Sequence, residues 1–130
     1  MEKTSRQRWA EQISQHRKRC QKILAISRSI RYVGLINDYG RTLTGIIRSG
    51  MTAILSDEAA RNEFFFTSIL LLMRKKASHA LGNMDYVIFR HDKVTIIAFQ
   101  RDEGTYYISV SKNMTPKVIT KTISKIKKVI

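Results

Sequence analysis

Cysteine is almost absent from this chain: Cys20 is the only one in 130 residues. A single thiol excludes an internal disulfide and any zinc site built on paired cysteines. Proline is as scarce, with Pro116 alone, and the six glycines are scattered singly. There is accordingly no flexible linker, and no internal repeat or low-complexity segment interrupts the sequence. Long apolar runs are missing too. A spanning helix takes roughly 20 apolar residues in succession, and the most apolar stretch, residues 62–73 (NEFFFTSILLLM), falls well short. The opening MEKTSRQRWAEQ has neither an apolar core nor a small-residue cleavage site, so nothing points to secretion and the expected location is cytoplasmic.

The motifs of catalysis are also missing. His16, His79 and His91 show no HxxxH or HExxH spacing and have no cysteine companions, which argues against a metal site. No GxSxG, glycine-rich phosphate loop or dinucleotide fingerprint is present. Asp38, Asp57, Glu58, Asp92 and Asp102 all read as turn or cap residues. No catalytic, cofactor-binding or metal-ligating residue is expected, and the chain is not expected to be an enzyme.

What the sequence does contain suits one domain over residues 1–130, with a hydrophobic content of 43% and enough length to bury its own core. Its centre is a long helix expected over residues 57–81. Ser56 is a fitting N-cap, Asp57 and Glu58 place negative charge at the positive end, and Gly82 suits the residue after the C-cap. At 100° per residue Phe65, Phe66, Ile69, Leu70, Leu72, Met73, Ala77 and Ala80 form one broad apolar arc, and Ala60, Phe64 and Leu71 a narrow one opposite. Two apolar faces need two partners. The broad arc is expected to cover the protein's own sheet, leaving the narrow one for a second chain or the terminal helices.

Ahead of this helix, Trp9, Ile13, His16, Cys20, Ile23 and Leu24 recur at helical spacing, predicting an amphipathic helix over about residues 3–28. At 1.5 Å per residue it is longer than any strand here, so it should overhang the sheet at its N-terminal end. Cys20 and Trp9 both fit its apolar stripe and are assigned packing roles. Residues 30–36 and 43–48 read as two strands joined by Asn-Asp-Tyr-Gly-Arg, a turn sequence suited to a hairpin. Gly34 and Gly45 fall inside these strands, where a missing side chain marks a bulge or a closely packed helix. Residues 86–90, 94–100 and 105–111 form an antiparallel meander with short polar turns. Both parities of these strands are apolar, so both faces of the sheet should be covered. Thr115 and Pro116 then open a last helix over about 116–130, with an isoleucine stripe and a lysine stripe.

The resulting αββαβββα order, an α+β arrangement, resembles the roadblock family of small dimeric proteins, related in fold to profilins and longins. The hairpin VGLINDYG resembles that family's glycine, apolar pair, acid, glycine pattern. The chain is also similar to a group of small archaeal proteins in which stretches like IRYVGLINDYGRTLTG and ARNEFFFTSILLLMRKK recur, a likeness that implies no activity. The roadblock resemblance implies a five-stranded antiparallel sheet, with the second helix on one face and the first and third on the other. It also implies a homodimer paired through the second helix and third strand, with Ala60, Phe64, Thr67, Leu71, Tyr86, Ile88 and Arg90 as interface candidates. Family partners are often small GTPases or their regulators. The expected function is a non-catalytic adaptor or regulatory interaction module without a cofactor.

Charge supports a second reading. The net charge of +14 is concentrated at the ends: residues 1–31 carry nine cations against two acids, and residues 112–130 carry six cations and no acid. If the first and last helices share a face, Arg6, Arg8, Arg17, Lys18, Arg19, Lys121, Lys125 and Lys128 make one basic surface. Such a surface binds phosphate backbones without reading bases and in a salt-sensitive manner. Anionic membrane ranks lower, because the first helix has few large apolar residues and a use for them against the sheet.

Overall fold

The computed structural model describes residues 2–130. Helix α1 (Ser5–Leu24) starts at a capping box, in which the Thr4 hydroxyl accepts from the Gln7 amide and the Gln7 side chain accepts from the Thr4 amide. Residues 5–12 are all exposed, so the expected overhang is present, whereas Cys20 and Ile23 are buried. Trp9 departs from its packing assignment and is 57% exposed. The apolar stripe continues along the helix beyond the sheet it packs on. The helix ends at Leu24, short of the expected 28, because the chain must turn back into β1 (Ile30–Ile36). Arg48 holds that turn, with Nε donating to the Ile30 carbonyl at 2.7 Å and Nη2 to those of Leu24 and Ser27 at 2.5 and 2.8 Å.

The remaining elements are β2 (Thr42–Ile47), α2 (Asp57–Lys75), the single turn α3 (Ser78–Leu81), β3 (Tyr86–Arg90), β4 (Val94–Arg101), β5 (Gly104–Ser111) and α4 (Pro116–Lys127). The long central helix is thus interrupted near Lys76, and Gly82, at φ +84°, closes the extra turn. All five strands form one antiparallel sheet in the order β2-β1-β5-β4-β3. Consecutive strands β2 and β3 occupy opposite edges, so the segment joining them must cross the whole sheet. Five strands span about 19 Å at ~4.8 Å spacing. A 19-residue helix is about 28 Å long, and α2 makes the crossing.

One face of the sheet carries the main core. Val33, Leu35, Ile97, Phe99, Tyr106 and Ile108 point into it and meet Cys20 and Ile23 of α1 and Ile119, Ile123 and Ile126 of α4. The terminal helices therefore share a face, and α2 covers the other. On that second face Gly34 and Gly45 are register partners. Their missing side chains serve neither a bulge nor a helix: the Tyr32 ring lies across both, and a Cβ at either position would collide with its hydroxyl.

Candidate interaction surface

The second face is built around aromatic residues. With Tyr32 laid over the glycine pair, Phe64 of α2 stacks on it at 6.0 Å between centroids and meets Tyr107 edge-on at 4.8 Å. The Tyr107 hydroxyl donates to Glu63 Oε2 at 2.6 Å, and Thr67 Oγ1 reaches Glu63 Oε1 at 3.5 Å. Burial first, and Glu63 second, push the Tyr107 phenol far above its ordinary value, so it stays a donor. On the hairpin side, Ser68 Oγ donates to the Asn37 carbonyl at 3.0 Å, and Gly40 comes against the α2 backbone at Phe64 and Phe65. Gly40 has φ +79° and its Cβ would overlap the Phe65 backbone, so only glycine permits this approach.

These contacts settle which side of α2 meets the sheet, and it is the reverse of the expectation. Leu71 is 1% exposed, Thr67 is buried, and Ala60 and Phe64 are half-buried. The narrow stripe lies on the protein's own sheet. The broad arc faces solvent, with Phe66 65%, Met73 62%, Phe65 46% and Leu70 43% exposed. The physical reason lies in the strands, where Tyr32 and Tyr107 already fill the sheet face, so only a narrow row of side chains fits beneath the helix. The width of a stripe measures the apolar surface to be covered and does not say what covers it. Thr67 and Leu71 are accordingly covered by the protein's own sheet, and the exposed residues of α2 are those of the broad arc.

The other three interface candidates lie on β3. Tyr86, Ile88 and Arg90 are register partners of Phe99, Ile97 and Thr95. They therefore project on the face shared by α1 and α4, not beside α2. Tyr86 and Ile88 are partly exposed, and the Arg90 guanidinium donates to Thr95 Oγ1 and the Met114 carbonyl. β3 is nevertheless an edge strand: it pairs with β4 alone, leaving its outer backbone groups open to another strand.

The cations divide by what they touch. Arg8 folds back on the Lys3 carbonyl and Ser5, Arg17 reaches Thr44 and the Gly45 carbonyl on β2, and Arg19 pairs with Glu103 at 3.5 Å. Arg6, Lys18, Lys121, Lys125 and Lys128 are exposed, and among the described residues none has an acidic partner within ion-pair distance.

Among the described residues no group of three or more His, Cys, Asp or Glu side chains is placed to hold a metal, and no helix is long and apolar enough to cross a membrane. Burial raises the Cys20 thiol to about 11, with Arg17 opposing weakly, which leaves it a poor nucleophile. The Arg19 guanidinium lies 3.2 Å from His16 Nδ1. Burial and then that guanidinium hold the His16 pKa down, against a smaller opposite pull from Glu103.

No protein-family model and no curated protein matches the sequence. Solved structures do match the fold. The gliding protein MglB from Thermus thermophilus superposes with a TM-score of 0.64 at 10% identity, covering 90% of this chain and 89% of that one. A Roadblock/LC7 domain from Streptomyces avermitilis gives 0.61 at 11% identity, with 86% and 92% covered. A structure described as MglB with tetrameric arrangement gives 0.63 at 11%, with 90% and 88% covered. The fold is that of roadblock proteins.

Proposed function

We propose that this protein is a non-catalytic interaction module that works as a homodimer, paired through the outward face of α2 and the open edge of β3. The observation that carries this reading is the exposed arc Phe65, Phe66, Leu70 and Met73. Fully burying such side chains is worth roughly 1.5–3 kcal/mol each, and an arc this continuous marks an interface more often than a solvated surface. Two copies joined antiparallel along β3 would extend the sheet across both and set the two α2 helices side by side. A two-fold axis would then bring Asp57 and Glu58 of one helix toward Arg74 and Lys75 of the other, opposite in sign. A tetrameric MglB structure of the same fold supports assembly as the mode of action, and small GTPases or their regulators are the first partners to test.

Light scattering is the direct test. The wild type is expected to be a dimer at low and high salt, and Phe66→Asp with Met73→Asp a folded monomer. A monomeric wild type at high concentration would end the reading. A second reading, sequence-independent binding to nucleic acid, is favoured by one observation: α1 and α4 share a face and present unpaired lysines there. It requires a complex that forms at low salt, dissolves at high salt and is lost when Lys18, Lys121 and Lys125 are reversed to Glu, with the dimer intact.

A further inference from the structure

Besides its outward arc, α2 leaves a cleft where its first turns pass over the sheet. The space is about 670 Å³ and lies between the start of α2, the loop after β2 and the turn joining β3 to β4. That volume falls within the roughly 300–1,000 Å³ of small-molecule sites. Its wall is mainly apolar and includes Tyr32, Phe64 and Tyr107, with Met51, Ile54 and Ile96 around them.

The charges at the cleft invert those of the chain. Three of the ten acids, Asp57, Glu63 and Asp92, line it, against only two of the 24 cations, Arg31 and Lys93. With His91, which also lines the cleft, counted as neutral, the local sign is negative in a protein of net charge +14. Glu63 lies beside the rings, half-buried and held by Tyr107 and Thr67, and among the described residues no cation lies within ion-pair distance of it. A carboxylate beside half-buried aromatic rings in a mainly apolar cleft is an arrangement that receives an organic ammonium, the carboxylate accepting its hydrogen bond and the rings adding attraction.

We infer that this cleft is a binding site for a small organic amine, its apolar body lying against Phe64, Ile54 and Met51 and its ammonium donating to Glu63. The reading does not depend on dimerisation.

The test is an NMR titration of labelled protein with phenethylamine, phenethyl alcohol and phenylpropionate. The amine should move the amides of Tyr32, Thr52, Glu63 and Lys93 and bind about tenfold more tightly than the alcohol, from the charge-assisted hydrogen bond. Phenylpropionate should give no saturable shift. Glu63→Gln retains an acceptor for Tyr107 and removes the charge, so it should abolish the preference for amine over alcohol and leave the alcohol's affinity unchanged. Equal affinity for all three probes, no binding of the amine, or shifts confined to α1 and α4 would each overturn the site.

Discussion

The two faces of the sheet are finished differently. Under α1 and α4 the strands and helices interlock through aliphatic and aromatic side chains, from Cys20 and Ile23 to Ile126, and the residues meeting there are almost all fully buried. Under α2 the helix buries Thr67, Ser68 and Leu71, two of them polar, sets a half-buried Phe64 on Tyr32 and Tyr107, and turns most of its other large apolar side chains outward. The first face stabilises the monomer. The second is held by a few directional contacts and leaves most of its apolar surface exposed, the surface proposed above for association. Helices of similar length therefore have opposite roles, because helix propensity sets the element while the side chains of the strands set which stripe can dock.

Substitutions can sharpen or break this contrast. The largest effect is expected from Phe99→Ala in the main core, about 3–5 kcal/mol of unfolding free energy in urea titration. A cost as small as that of a surface change would show that the two faces are alike. Next is the paired change Phe66→Asp and Met73→Asp. It should weaken association by roughly 100-fold or more in analytical ultracentrifugation, comparable to the loss of two hot-spot residues, with the melting curve of the isolated subunit little changed. Arg48→Ala leaves the carbonyls of Leu24, Ser27 and Ile30 without their donor and should cost about 1–3 kcal/mol, read as an earlier urea midpoint. Ser68→Ala removes one tie between α2 and the hairpin and should cost about 1 kcal/mol. Amide exchange there should quicken in α2 before it does in α1.

The smallest effect is one of pH. Asp85 is hydrogen-bonded to Lys127 at 2.5 Å and to Arg101 at 3.0 Å. Lys127, more than Arg101, holds its carboxyl below the ordinary 3.8. A depressed folded-state value means that the contribution is complete above the unfolded value and is lost as pH falls through the folded one. Acid titration of stability should therefore be shallower in Asp85→Asn below about pH 4, and an identical slope would remove the α4 clasp from the account.

Much of the element order is legible in the chain. Strand β1, expected over 30–36, spans Ile30–Ile36, and Thr115 with Pro116 marks the start of α4. Alternation and cap chemistry are local, so they survive without a structure. The orientation of α2 runs against its stripe widths because it depends on Tyr32 and the glycine pair beneath it, which are remote in sequence from 64 and 71. Trp9 escapes its packing assignment because periodicity does not show where a sheet stops. The amine cleft has no sequence signal, being assembled from separate segments of chain, each ordinary by itself.

Strand β1 has a further consequence, in the order in which the chain is made. Its neighbours are β2, which follows at once, and β5, which pairs Ile108 with Val33 near the other end of the sequence. During synthesis at roughly 5–20 residues per second, the hairpin emerges several seconds before β5 exists. For that interval one backbone edge of β1 is open to any other nascent chain. The slow step of folding should be the insertion of β5 between β1 and β4, and truncation before Gly104 should leave a product that aggregates and does not merely fold less stably.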